Sequence, residues 1–259
     1  MLKRDKKVKS RRHAKSNYLQ LAEEGNNHLW RYCLGTVLIF MILPIVSGYI
    51  SISIKKLITI SGILSLYAPY YALVMHAIYE CISIICLFVI LKLVHQRRLS
   101  TVFSAEGKIR FGRLLLAVVV CSSLLLALYL YVQPTNSEII DTIKFKKWSL
   151  LPMVVLFITI QSAKEEFIYR GYLLQGFYFF THKKSLAILF TSLIFASMHF
   201  QFFVPVSSDD LGRYTSLFVH GIIYALITIK NQRIEWAIGS HAAWNIVQMM
   251  RLGLANYYS

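Results

Sequence analysis

Two glutamates, two histidines and an asparagine stand out because they lie in stretches that are otherwise apolar. The first cluster is Ala163-Lys-Glu-Glu-Phe-Ile-Tyr-Arg-Gly171, which puts Lys164, Glu165, Glu166 and Arg170 inside a hydrophobic run. A charge within a membrane span costs about 2.5–3.5 kcal/mol on insertion scales, so a group of them needs a local reason. Glu166 and Arg170 are four residues apart, about one α-helical turn, and are expected to pair on one face. Adjacent residues differ by about 100° on a helix, so Glu165 is expected to point away from that pair and to enter a polar cavity alone. A carboxyl placed in that way suits a general base. The alternative is a buried ion-pair network that only fixes helix packing.

The second cluster is Phe195-Ala-Ser-Met-His199, with Phe195 and His199 on one face at i, i+4. A single histidine there is also compatible with packing. The third is His241-Ala-Ala-Trp-Asn245, in which an imidazole and a carboxamide share a face and could donate to a developing oxyanion. An interhelical hydrogen-bond pair is the structural alternative. Together the three clusters supply what a buried water-activation site requires: a base pair to take the proton and donors for the tetrahedral intermediate. No GxSxG elbow and no HExxH helix occurs, so serine and zincin chemistry lose support. His95 and His182 read as loop residues, and His76 and His220 as packing or interface residues.

The elements that must hold these residues follow from composition. The chain has 259 residues, 56% hydrophobic and 15% charged. A soluble domain carries about 25% charged residues. Candidate spans recur at about Leu34–Ile54, Tyr70–Val94, Leu114–Val132, Ser149–Phe180, Ser185–Val204, Ser216–Ile229 and Trp236–Leu254, several of them reaching the length needed to cross a bilayer and the sixth short. The expected fold is therefore all-α, a polytopic transmembrane bundle of about seven spans. Residues 1–28 read as a basic cytoplasmic tail, 29–147 as N-terminal transmembrane helices, and 148–259 as the catalytic core. The loop Pro205–Arg213 is expected to separate the fifth and sixth spans. The run from Lys3 to Lys15 resembles the charged part of a signal peptide, but the stretch after it is long enough to remain as a span and shows no small-residue cleavage pattern.

The net charge of +16, from 28 Lys+Arg and 12 Asp+Glu, excludes little by itself. Its distribution matters more. The N-terminal run falls on one side with Arg97, Arg98, Lys108, Arg110, Arg113, Lys183, Lys184, Lys230 and Arg233. The other side receives Lys55, Lys56, Lys144, Lys146, Lys147 and Arg213, so the N-terminus is expected in the cytoplasm and the C-terminus outside. No basic stripe with interleaved aromatics lies on a soluble element, so no nucleic-acid partner is expected; membrane lipid is. Cys33, Cys81, Cys86 and Cys121 form no CxxC pair and read as small core residues.

The motifs EEFIYRG, FASMH and HAAWN, in this order on successive apolar helices, resemble the CAAX protease and bacteriocin-processing (CPBP, or Abi) family, which includes the type 2 CAAX prenyl endopeptidases. The family patterns EExxxR, FxxxH and HxxxN are intact, and the likeness covers about Leu150 to Arg251. It implies an intramembrane protease with a CPBP-like core in the C-terminal half, in a bacterial plasma membrane. Its substrate would be a membrane-associated peptide or protein, bacteriocin processing included. By the resemblance Glu165 and His199 activate the water, His241 and Asn245 hold the oxyanion, and Glu166 and Arg170 support the site. A metal is not required; zinc, on two histidines and a glutamate, is the alternative. Two other functions compete: a non-proteolytic scaffold or bacteriocin-immunity protein of the same family, and a small transporter using Glu165 as a proton site. The second lacks inverted repeats.

Overall fold

Backbone groups in lipid must be satisfied within the chain, and long apolar runs can do so only as helices. The computed structural model describes residues 17–60, 64–132, 151–199 and 208–252, and among them no strand occurs. The helices are α1 Leu29–Val37, α2 Leu43–Ile60, α3 Leu64–Val89, α4 Phe111–Val132, α5 Leu151–Glu166, α6 Leu174–Thr181, α7 Lys184–Ser197, α8 Ser208–Asn231 and α9 Glu235–Leu252. Three π-helical stretches adjoin them, at Leu38–Ile42, Ile90–Val94 and Phe167–Leu173, with 3-10 turns at Tyr18–Glu24 and Leu99–Val102.

Among the described residues, three stretches are long and apolar enough to cross a membrane: Leu29–Ile54, Val74–Val94 and Phe111–Val132. Their side chains are turned outward rather than inward. Along α4, Leu115, Leu116, Val119, Leu124, Leu128 and Tyr131 are all exposed, a surface that only lipid covers favourably. The chain is an all-α membrane bundle.

Each expected span coincides with helix, and the differences lie at the ends. The fifth was expected to reach Val204, yet α7 stops at Ser197, and Met198 and His199 form a turn. The sixth begins earlier than expected. Ser208 to Arg213, read as loop, are helical, because Ser208, Asp209 and Asp210 are residue types that favour a helix start. Residues 1–16, 61–63, 133–150, 200–207 and 253–259, with the basic run and the first three residues of the expected Pro205–Arg213 loop, lie outside the described residues.

The helices group into two compact units that interleave along the chain. The first takes the described residues up to Asn27, Leu91–Ile109 and Phe167–Ile234. Its core joins Leu19, Leu174, Ala187 and Ala225. The 3-10 turn Tyr18–Glu24 is held in it by Asn17, whose side chain accepts from the Leu19 N–H, and by Tyr18, whose hydroxyl donates to the Val102 carbonyl at 2.8 Å. Helices α7 and α8 approach so closely that a Cβ on Gly221 would sit 2.9 Å from the Ser192 Cβ.

The second unit takes His28–Ile90, Arg110–Glu166 and the described residues from Glu235. Val118 of α4, Val154 and Ile158 of α5, and Ala242, Ile246 and Met249 of α9 form its core. The start of α9 is fixed by Glu235, which accepts from the Arg110 N–H at 2.9 Å.

Candidate functional site

The second unit brings three of the expected residues together. Glu165 and Glu166 end α5, and His241 stands on α9. The His241 Nδ1 is 2.9 Å from Glu166 Oε1, a hydrogen bond between two buried side chains. Its Nε2 lies 3.8 Å from Glu165 Oε2, a charge contact rather than a hydrogen bond. One imidazole therefore stands between two carboxylates. With Nδ1 held by Glu166, Nε2 is directed at Glu165. Asn245, half-buried, follows His241 by one turn of α9 and shares its face.

The expectation that Glu165 stands alone is corrected. Its Oε1 lies 3.9 Å from the Lys164 Nζ, and its side chain is 12% exposed. Lys164 reaches further, to Glu80 Oε2 on α3 at 2.9 Å, and Glu80 Oε1 is 3.4 Å from His76 Nε2. The physical reason is cost. A carboxylate among apolar helices is tolerated when a counter-charge is close, and Lys164 supplies it. Glu80 was missed in the sequence and His76 was read as packing. The signal was there, since Glu80 is an acid in the middle of a span and such residues are functional candidates by default.

The first unit holds the other two. Arg170 lies in the π-helical stretch Phe167–Leu173, the kind of local widening that recurs at functional sites. The Arg170 side chain is 1% exposed and donates to the Gly221 carbonyl at 3.1 Å. Its guanidinium lies over three rings, 4.9 Å from Phe195, 5.3 Å from Tyr224 and 5.7 Å from Tyr169. Phe195 in turn packs edge-on to His199, with ring centroids 5.1 Å apart.

His199 lies one turn past Phe195 and bonds to it as well: its Nδ1 is 2.8 Å from the Phe195 carbonyl oxygen. A carbonyl has no proton to give, so Nδ1 donates, and in the neutral ring Nε2 carries the lone pair. That is the tautomer a proton acceptor needs.

The remaining histidines divide. His182 caps α6 in the left-handed conformation and is exposed, as expected of a loop residue. His220 bonds back to the Ser216 carbonyl at 2.8 Å and packs on Tyr224, a packing role. His95 lies in a bend after the Ile90–Val94 stretch, a loop residue as expected, and it is fully buried, with Nε2 at 2.9 Å from the Tyr172 hydroxyl and Nδ1 at 3.2 Å from the Asn26 carbonyl. Among the described residues no group of three or more His, Cys, Asp or Glu side chains is placed to hold a metal ion. An apolar cavity of about 270 Å³ lies beside the α9 motif, lined by Leu125, Leu128, Tyr129 and Val132 of α4 and by Trp244, Val247 and Gln248 of α9.

These features define a membrane-embedded helical protein with carboxylates and imidazoles gathered inside it. Residues 147–247 match the family described as type II CAAX prenyl endopeptidase Rce1-like, so the resemblance read from the three motifs holds for the segment that carries them. The chain is also similar to the uncharacterized protein YyaK of Bacillus subtilis (strain 168), 25% identical over 244 residues, which span 88% of this chain and 79% of the relative. No solved structure matches the chain.

Proposed function

We propose that the chain is an intramembrane endopeptidase that hydrolyses a peptide bond in a membrane-associated peptide or protein. The observation that carries this reading is the buried His241 imidazole between Glu165 and Glu166, within the segment that matches the Rce1-like family. In the proposed mechanism Glu165, assisted by the Nε2 lone pair of His199, takes a proton from water. The hydroxide attacks the scissile carbonyl carbon, and the carbonyl electrons move to oxygen. His241 and the Asn245 carboxamide donate to that oxyanion. Collapse breaks the C–N bond, and the proton held by the base passes to the leaving amine.

Glu166 serves by orienting the His241 ring through Nδ1, so that Nε2 is the nitrogen that turns to the oxyanion, and Arg170 by ordering the Phe195–His199 side. The reading needs no metal. The apolar cavity beside Trp244 suits a hydrophobic part of the substrate. The protein would lie in a bacterial plasma membrane with its N-terminus in the cytoplasm, residues 148–259 forming the catalytic core.

The test compares peptides released from membranes carrying the wild-type chain, Glu165→Ala or His199→Ala. Each substitution should lower cleavage by about a hundred- to ten-thousandfold while the protein still inserts. Cleavage retained in either variant overturns the mechanism. A phenotype that survives without cleavage would instead identify a scaffold or immunity protein.

A further inference from the structure

The segment that matches the Rce1-like family begins at residue 147, but the charge contacts around Glu165 begin earlier, on α3. Four side chains of the second unit form a line: His76, Glu80, Lys164 and Glu165. Glu80 is 1% exposed and Lys164 14%, so neither is a surface charge. Their 2.9 Å contact is a full ion pair, and it leaves the ammonium 3.9 Å from the Glu165 Oε1. The opposite oxygen of Glu165, Oε2, faces the His241 Nε2. Lys164 also lies over the Tyr79 ring at 5.5 Å, which restricts the swing of its long side chain.

We propose that Glu80 and Lys164 are a positioning pair: Glu80 anchors the Lys164 ammonium, and the ammonium holds one oxygen of Glu165 so that the other faces His241. The proposal rests on the reading of Glu165 as the base. It adds that α3, outside the family match, supplies part of the working site. A pair that merely joined α3 to α5 would need only opposite charges, in either order. A pair that positions Glu165 needs the cation at 164.

That difference is the test. In cleavage assays with the full chain, Lys164→Met and Glu80→Gln should each lower kcat by about ten- to hundredfold with KM nearly unchanged, because the substrate contacts are elsewhere. Lys164→Arg, which keeps the cation, should stay within about threefold of wild type. The exchanged pair, Glu80→Lys with Lys164→Glu, should recover the melting temperature lost by the single changes but not the activity. Recovery of both would make the pair a structural tie and overturn the proposal, as would an unchanged kcat in Lys164→Met.

A second arm does not depend on catalysis. Melting temperatures of Lys164→Met, Glu165→Gln and the double variant should show coupling, the double variant losing less than the sum. Strictly additive losses overturn the proposal even if no substrate is cleaved. Absence of cleavage by the wild-type chain, with coupling intact, would count against the protease reading alone.

Discussion

Two buried charged groups, Arg170 in the first unit and the line around Lys164 in the second, sit in apolar surroundings of different kinds. In the first, Arg170 is enclosed by the rings of Phe195, Tyr224 and Tyr169 and by the Gly221 carbonyl. In the second, carboxylates alternate with Lys164 and imidazoles, Glu80 through to Glu166. A ring cage is a matter of shape. The guanidinium fits because it is planar and weakly hydrated, and a different cation in its place loses the fit. A line of opposite charges is a matter of sign and distance, and it tolerates a change of shape better than a change of charge. The surroundings of Arg170 should therefore be sensitive to volume, and the line around Lys164 to charge.

The largest effect should come from Arg170. Replacing it with methionine removes a large, fully buried group and the donor to Gly221, at a cost on the order of 3 kcal/mol. Lysine in its place keeps the charge but cannot lie flat among three rings, so it should recover less than half of that loss. Thermal unfolding in detergent measures both. If Arg170→Lys proves nearly as stable as wild type, charge rather than shape holds the first unit, and the contrast with the Lys164 line collapses.

Close helix contacts give the next effect and sharpen the same contrast. A Cβ on Gly239 of α9 would lie 2.4 Å from the Ala117 Cβ and 2.9 Å from backbone atoms of Ala117 and Val118 on α4. A Cβ on Gly171 would lie 2.6 Å from the Val102 Cβ, with the Val102 Cγ1 and carbonyl at 3.1 Å. The first obstruction includes helix backbone, which cannot turn aside, and the second sits at a short 3-10 turn. Gly239→Ala should therefore cost about 2–3 kcal/mol and Gly171→Ala about 1–2 kcal/mol. Adding Ala117→Gly should restore much of the Gly239→Ala loss. A larger loss at Gly171 than at Gly239 would show that the 3-10 turn is the stiffer of the two partners.

What the sequence could show follows from which signals are local. Span positions were legible because an apolar run of sufficient length leaves the backbone no alternative to helix. Glu165, Glu166 and His241 were legible because charge and imidazole in such runs are anomalies. Their arrangement was not. That Glu165 meets Lys164, and that Lys164 meets Glu80, depends on α3 packing against α5, which no spacing within one helix encodes. That His95 is a loop residue was legible, but its burial was not, because it depends on the Tyr172 hydroxyl and the Asn26 carbonyl from distant parts of the chain.

The smallest effect separates two neighbours in one loop. Arg98 makes a bidentate contact with Glu24, at 2.8 and 2.6 Å, yet its side chain is 75% exposed. The hydrogen bonds to Glu24 and the attraction of its charge hold the guanidinium proton more firmly than usual, but an arginine stays protonated across the working pH range in any case. The pair is thus an exposed ion pair, and Arg98→Ala should cost less than about 1 kcal/mol, with the loss shrinking as salt is added. Arg97 is buried and donates to the Gln175 carboxamide, whose own N–H group donates to the Thr101 carbonyl at 3.0 Å. Arg97→Ala should cost about 2 kcal/mol or more, and added salt should leave that loss almost unchanged, because water and ions do not reach it. Equal losses with equal salt dependence would mean that burial of the loop, rather than its ion pair, is the weaker part of the first unit.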